Sequence, residues 1–118
     1  MRLKELTEEE IFERKEMYLT RLNYLMRNIS DYFETHDWAL GYRISEEYRA
    51  IKEEIRDEAK YLDCKKNDIS DISKTHQAYS KGIRGASAFG LTVRSNGKVD
   101  HRMFSAVEEA HYRLNKFF

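Results

Sequence analysis

Residues 7–34 read TEEEIFERKEMYLTRLNYLMRNISDYFE, and this stretch decides the fold class. Thr7 followed by three glutamates is a capping-box arrangement, in which the acids favour the positive end of a helix. Apolar side chains then recur every seven residues, which returns them to nearly the same face of a helix. They form two interleaved series with Leu22 and Ile29 between them: Ile11, Tyr18, Leu25 and Tyr32, and Phe12, Leu19, Met26 and Phe33. The pattern predicts one long helix from Thr7 to about Glu34 with a broad apolar stripe.

A second helix is predicted after a break at Thr35-His36-Asp37, and it runs from Trp38 or Ser45 to Asp63. Its stripe positions alternate at steps of four and three: Ile44, Tyr48, Ile51, Ile55, Glu58 or Ala59, and Leu62. Charged residues occupy the other faces. Because this stripe is narrower than the first, it is typical of a hairpin partner rather than a central helix.

A third and a fourth helix are predicted in the second half of the chain. A turn ends at Asn67 or Asp68, either of which can cap the third helix. Its stripe is Ile69, Ile72, His76, Tyr79 and Ile83. Gly82 and Gly85 weaken this helix towards its end, by about 1 kcal/mol each relative to alanine. The fourth helix begins near Asp100, a good N-cap. It is predicted to bury Met103, Val107, Ala110, Leu114 and one of Phe117 and Phe118.

The segment between the last two helices carries a short hairpin signal. Asn96-Gly97 is flanked by Leu91 and Val93 on one side and by Val99 on the other. A chain of 118 residues has room for one core. The sequence therefore predicts an all-α, four-helix bundle-like fold with a short hairpin or ordered loop between helices 3 and 4. Residues 1–118 are expected to form a single helical domain.

The composition excludes several classes of protein. Cys64 is the only cysteine, so neither an internal disulfide nor a cysteine-based zinc cluster can form. The N-terminus lacks an apolar signal-peptide core, and no stretch is apolar over the roughly eighteen residues that a membrane span needs. We therefore expect a cytoplasmic protein with no membrane partner.

Charge divides the chain into two unlike halves. Residues 1–63 carry 11 Lys/Arg and 16 Asp/Glu, a net of −5, whereas residues 64–118 carry 10 and 5, a net of +5. Such a dipole can steer a partner, stabilise head-to-tail self-association or tie the two halves together. The overall neutrality argues against a dedicated, high-affinity binder of duplex nucleic acid, which is normally basic.

The segment 81–102 is the most unusual part of the sequence, since it is basic and glycine-rich with Asp100 as its single acid. Glycines let a backbone approach a ligand and expose N–H groups that can cradle an anion, and an aromatic ring can stack on a base. The candidate residues for binding an anion, a nucleic acid or a protein are Lys81, Arg84, Phe89, Arg94, Lys98, His101 and Arg102. The glycines equally fit turns and close helix packing, and their spacing matches neither the P-loop nor the dinucleotide fingerprint.

No residue pattern indicates a metal, a cofactor or a reaction. Glu108-x-x-His111 has the spacing that di-iron bundles use, but such a site needs a second copy of the motif, which the sequence lacks. His76 falls on an apolar stripe and is predicted to be a hydrogen-bonded core or boundary histidine. Nothing in the sequence pairs a nucleophile with a base, so we do not expect an enzyme.

Aromatic residues off the predicted stripes supply a second candidate site. Tyr42 is one of these, and Trp38 lies beside the predicted break, so both are candidate hot spots of an interface. For Trp38 a place in the core is an equal alternative. The sequence thus predicts a small helical binding or regulatory protein that acts through protein–protein contacts, with a homo-oligomer as one form. The alternative is a nucleic-acid-binding or nucleotide-binding module that uses residues 81–102. In composition alone the chain resembles accessory proteins of phages and mobile elements.

Overall fold

The computed structural model describes residues 6–63, 73–90 and 98–116. Within these ranges there are four α-helices and no strand: α1 Glu8–Thr35, α2 Trp38–Asp63, α3 Lys74–Gly85 and α4 His101–Lys116. A π-helical segment, Ala86–Gly90, directly continues α3. Both α1 and α3 pack on α2 and on α4. The predicted all-α, four-helix bundle-like fold is confirmed, while the predicted hairpin or ordered loop falls on residues 91–97, outside the described ranges.

The first helix begins where the capping box predicts. The N–H of Glu10 donates to Thr7 Oγ1 at 3.1 Å, and the Thr7 hydroxyl donates to the Glu10 carboxylate at 3.2 Å. Three acids occupy the first turn, where the helix dipole favours negative charge. The 28 residues of α1 give a helix about 42 Å long, which explains the molecule's longest dimension of 50 Å.

The turn between α1 and α2 is only two residues long. His36 ends α1 in the left-handed conformation, with φ 52°, and its N–H donates to the carbonyl oxygen of Tyr32 at 2.8 Å. Asp37 then caps α2, because its Oδ1 accepts the N–H of Ala39 at 3.0 Å. Gly41 lies so close to Tyr32 that a Cβ on it would come within 2.8 Å of the ring. The predicted break is therefore confirmed, and of the two predicted starts of α2 the structure has Trp38.

The predicted stripes meet in one hydrophobic core between the helices. Its fully enclosed side chains are large and come from all four: Ile11, Leu22, Leu25, Ile29, Ile44, Ile51, Ile55, Tyr79, Ile83, Met103 and Leu114. Phe12 is different, since it belongs to the second predicted series of α1 but is 53% exposed. In the same series Leu19 is buried at 8% exposure, so the neighbouring helices cover this side of α1 at Leu19 but not near the start of the helix. Part of the broad apolar stripe of α1 therefore lies on the surface.

The third helix begins at a different cap from the one predicted. Ser73 takes this position, and its Oγ accepts the N–H of His76 at 3.4 Å. The predicted caps Asn67 and Asp68 and the predicted stripe residues Ile69 and Ile72 lie outside the described residues. Its predicted core residues His76, Tyr79 and Ile83 are buried.

Small residues bring α3 and α4 together. A Cβ on Gly82 would lie 3.1 Å from the backbone oxygen of Leu114, and one on Gly85 would lie 3.4 Å from Arg113 Cβ. The start of α4 is as predicted, because Asp100 Oδ1 accepts the N–H of Met103 at 3.0 Å. The four predicted core residues of α4 within the described ranges are fully buried: Met103, Val107, Ala110 and Leu114. None of the described helices has the length and apolar character needed to cross a membrane.

The two seam glycines make a matched test of this packing. We expect Gly82→Ala to lower the free energy of unfolding by about 1 kcal/mol or more, because the new methyl group presses on a helix backbone. Gly85→Ala meets ordinary contact and removes a poor helix former, so it should leave stability unchanged or raise it by up to about 1 kcal/mol. Urea unfolding followed by circular dichroism measures both. Equal effects of the two substitutions would contradict the close approach at Gly82.

Candidate functional site

A groove runs between α1 and α2 on the outer surface of the pair, with a volume of about 710 Å³. We call it the α1–α2 groove. Its lining combines aromatic, apolar and charged side chains: Tyr24 and Asn28 from α1, and Leu40, Tyr42, Arg43, Glu46, Glu47 and Ala50 from α2. The small side chain of Ala50 and the close approach of the two helices near Gly41 leave this space open.

Three large aromatic side chains are exposed at or near this groove. Trp38 is 79% exposed, Tyr42 is 62% exposed and Tyr24 is 60% exposed. Trp38 and Tyr42 are four residues apart, so they project from the same side of the first turns of α2. The two residues that the sequence singled out as candidate hot spots therefore present their rings to solvent, and Tyr24 joins them from the facing helix.

Ion pairs fix the edge of the α1–α2 groove. Arg21 on α1 reaches across to two carboxylates of α2, Glu47 at 2.9 Å and Glu54 at 2.6 Å. Glu46 pairs with Arg49 at 3.5 Å along α2 itself. Each such exposed pair contributes roughly 0.2–1 kcal/mol at most. Their main consequence is to hold the side chains at the rim, and to leave the groove with a negative edge.

A second candidate site lies at the other end of the α1–α2 pair, where a carboxylate is buried. The side chain of Glu58 on α2 is only 8% exposed. Arg14 Nη1 donates to Glu58 Oε1 at 2.8 Å, and the Tyr79 hydroxyl donates to the same oxygen at 2.6 Å. This Glu58 cluster therefore links α1, α2 and α3 through one acceptor atom.

The electrostatics of the cluster follow from burial around a negative charge. Burial raises the pKa of the Tyr79 hydroxyl well above its usual range, and the Glu58 carboxylate adds to the rise. The pKa of Tyr18, which faces the same carboxylate, is raised for the same two reasons. For Arg14, burial lowers the pKa, but the hydrogen bond to Glu58 and the attraction of that carboxylate and of Tyr79 and Tyr18 together outweigh it, so the net pKa is raised. The cluster thus holds a charged pair and two protonated phenols at neutral pH.

One atom of this cluster has no partner. Glu58 Oε2 is buried and accepts no hydrogen bond from any described residue. An unsatisfied buried acceptor costs about 1–3 kcal/mol, so such an atom needs a physical explanation. The carboxylate borders a pocket of about 290 Å³, which we call the Glu58 pocket. Its walls are Leu6, Arg14, Tyr18, Glu54, Asp57, Glu58, Tyr61 and Leu62.

Sequence reasoning placed Glu58 on the apolar stripe of the second helix but did not identify it as a site. The feature that could have indicated a site is a carboxyl group at a predicted buried position, between Ile55 and Leu62. A buried carboxylate requires hydrogen-bond donors. Here the donors, Arg14 on α1 and Tyr79 on α3, come from other helices. Which of the many charged residues would meet it depends on helix packing, so the sequence alone did not name the partners.

The structure spreads the predicted basic segment along the α3–α4 pair rather than gathering it. Lys81, Lys98 and Arg102 are exposed, and Arg84 Nε donates to the carbonyl oxygen of Ser80 on its own helix at 3.4 Å. Since Gly82 packs at Leu114, Lys81 lies about 18 Å along the α4 axis from Arg102 at 1.5 Å per residue. Arg94 and the side chain of Phe89 lie outside the described part of the molecule.

The histidines take structural positions. His76 Nε2 donates to the carbonyl oxygen of Leu6 at 2.8 Å, while Nδ1 accepts the Ser73 hydroxyl at 2.6 Å, so the predicted hydrogen-bonded core histidine is confirmed. The ring of His101 packs on Phe33 with 4.7 Å between centroids. Burial lowers the pKa of His111. Within the described ranges no three His, Cys, Asp or Glu residues are placed to hold a metal ion.

The Glu58 cluster predicts a loss of stability in alkali. Because the folded-state pKa values of Tyr18 and Tyr79 lie above that of an unfolded tyrosine, their contribution is complete below about pH 10 and is lost as the pH rises further. Urea midpoints measured from about pH 8 to pH 11 should fall steeply above about pH 10. Tyr79→Phe should have a lower urea midpoint at neutral pH, because it loses the hydrogen bond to Glu58. Its midpoint should also fall less steeply above about pH 10, because this variant has one buried phenol fewer to ionise.

The exposed Tyr24 supplies the control for that experiment. Tyr24→Phe should keep both the neutral-pH stability and the alkaline slope of the original protein, because its hydroxyl is not buried on folding. An unchanged slope in Tyr79→Phe would contradict the role given to its hydroxyl.

Comparison with known proteins identifies no relative: no family model matches the chain, and neither does any curated protein or solved structure. The function proposed below accordingly rests on the geometry of the described residues.

Proposed function

We propose that this protein is a small helical protein-binding module whose α1–α2 groove and Trp38 bind a partner protein. The observation that carries the proposal is the exposure of Trp38, 79%, next to the exposed rings of Tyr42 and Tyr24. Single apolar residues on a surface are ordinary, but here Tyr24 and Tyr42 line one groove and Trp38 lies one helical turn from Tyr42 on α2. Trp and Tyr are also the residues most enriched among interface hot spots.

The charge of the helices indicates the chemistry of the partner. α1 contains seven acidic and four basic residues, and α2 contains seven acidic and five basic residues. At the groove itself Glu46 and Glu47 are paired with Arg49 and Arg21, so the acidic excess belongs to the two helices as a whole. A complementary partner therefore carries basic side chains around an apolar core. A groove between two antiparallel helices suits an amphipathic helix that lays its apolar face between them, so we propose a basic amphipathic helix as the bound segment.

A second copy of the chain is the alternative source of that segment. α3 contains Lys74, Lys81 and Arg84 and no acidic residue, so the two halves of two molecules are complementary in charge. The cytoplasm is the compartment we propose, since a chain with a single cysteine is compatible with a reducing environment.

The nucleic-acid alternative has weaker support. Its exposed cations lie apart in the described residues: Lys81 is on α3, Arg102 is in the first turn of α4, and Lys98 lies three residues before α4. Retention of labelled single- and double-stranded DNA and RNA at low salt is the direct measurement, since phosphate contacts strengthen as salt is removed. Binding there that survives Trp38→Ala and is lost in Lys81→Ala would favour this alternative over the groove.

The groove proposal predicts a selective loss of binding. The immobilised full chain is used to capture partners from an extract of its natural host, and the purified partner is then titrated by calorimetry. Trp38→Ala and Tyr42→Ala should each weaken the complex at least about tenfold, because hot-spot truncations have effects of this size. Since both side chains are exposed, the stability of the free protein should change by less than about 0.5 kcal/mol.

A matched control is available on another helix. Tyr112 on α4 is 57% exposed, a fraction similar to the 62% of Tyr42. Tyr112→Ala therefore removes a comparable ring from a surface outside the groove. The partner should bind Tyr112→Ala with unchanged affinity, and its bound segment should be basic. Sedimentation shows whether the partner is a second copy. A partner that is retained equally by all three variants would overturn the assignment of the groove.

A further inference from the structure

We propose that the Glu58 pocket binds a small organic ammonium ion. The pocket lies at the opposite half of the α1–α2 pair from the α1–α2 groove and shares no lining residue with it. The proposal for this pocket therefore does not depend on the protein-binding function proposed for the groove. Its evidence consists of an unpartnered acceptor, the charge of the lining, and the nature and size of the walls.

The unpartnered acceptor is Glu58 Oε2. Arg14 and Tyr79 both donate to Oε1, and the Tyr18 hydroxyl faces the same carboxylate, yet Oε2 accepts no hydrogen bond. Glu58 is also one of the residues that line the pocket, so a donor that enters it lies beside the carboxylate that has this unpartnered oxygen. An N–H donor that enters the pocket supplies the missing hydrogen bond.

The charge of the lining selects a cation. Three carboxylates border the pocket, Glu54, Asp57 and Glu58, against one guanidinium, that of Arg14. Arg14 already binds Glu58, and Glu54 already binds Arg21 on the outer side. The pocket therefore carries a net negative charge, and an ammonium group that donates to Glu58 near Asp57 reduces it.

The remaining walls select an organic cation over a bare ion. Leu6 and Leu62 are buried aliphatic side chains, and the buried ring of Tyr18 and the exposed ring of Tyr61 complete the lining of this open pocket. Aromatic faces attract ammonium groups, and aliphatic walls accommodate a hydrocarbon body. The volume of about 290 Å³ exceeds the roughly 150 Å³ of a cavity that admits benzene, so an amine with one ring or a short chain fits.

The test uses 2-phenylethylammonium chloride as the probe, titrated into the full-length protein by calorimetry at neutral pH. We expect saturable binding with one site per chain. The neutral analogue 2-phenylethanol should bind at least about tenfold more weakly, since it lacks the charge that the carboxylates recognise, and phenylacetate should not bind. No saturable binding of the amine at millimolar concentration, or equal affinity for the alcohol, would overturn the proposal.

Variants on one helix turn locate the site. Asp57→Asn should weaken the amine about threefold, as expected for a partly screened charge at the rim, while Glu53→Gln, one turn away and outside the lining, should leave affinity unchanged. Equal effects of the two would count against the pocket. Glu58→Gln should abolish binding of the amine, and circular dichroism checks that this variant folds. If Glu58→Gln does not fold, Tyr61→Ala provides a second test, because it removes an exposed ring of the pocket wall and should lower the affinity for the amine. Wild-type affinity in Tyr61→Ala would then overturn the assignment.

The same chemistry could come from a lysine side chain of another protein. Nα-acetyl-lysine amide therefore serves as a second probe beside the free amine. Tighter binding of the free amine identifies a small metabolite-like ligand, and tighter binding of the lysine derivative identifies a protein side chain; both agree with an ammonium site. Trp38→Ala should bind either probe as the unaltered protein does, which separates this site from the groove.

Discussion

The carboxylate of Glu58 joins three of the four helices at a single acceptor atom. It projects from α2 to meet Arg14 of α1 at 2.8 Å and Tyr79 of α3 at 2.6 Å. Taking a charge out of water costs several kcal/mol, so a buried carboxylate is tolerated only where donors surround it. Apolar contacts allow neighbouring helices some rotation and sliding, whereas two directed bonds to one atom do not. The main effect of this cluster is therefore to fix the relative orientation of α1, α2 and α3, more than to raise the net stability of the fold.

The turn at the opposite end of the α1–α2 pair complements this constraint. His36 in the left-handed conformation and the cap by Asp37 return the chain within two residues. With the pair tied at the turn and at Glu58, the surface between them is set, and Arg21 bridges the two helices along its edge. Trp38 follows the turn directly, so its position at the end of the groove is a consequence of where α2 must begin.

The α3–α4 pair is built on a different principle. Gly82 and Gly85 remove side chains from the seam, so backbone and side-chain atoms of α4 come into close contact with α3. Dispersion forces fall off steeply with distance, and small residues are what allow this approach. The same packing displaces Lys81 and Arg102 to different levels of the pair. The two halves of the protein thus differ in architecture as well as in charge: a polar cluster and a groove on one side, a tight seam with dispersed cations on the other.

The sequence by itself determined the all-α class, the cap at Thr7, the break at His36, the start of α4 at Asp100 and the core positions of the stripes. These features depend on residues close together in the chain, since a cap is read over three residues and a stripe over one helix face. It also indicated that the ring of Tyr42 lies off the core, whereas for Trp38 it left a core role and an interface role equally open, and the structure exposes the ring. What only the tertiary structure decided was which faces meet: that Glu58 receives Arg14 from 44 residues away, that Glu58 lines a pocket, and that Phe12 is left uncovered. Periodicity records that a residue is buried, but the identity of its neighbour depends on how whole helices pack, and no local pattern carries that information.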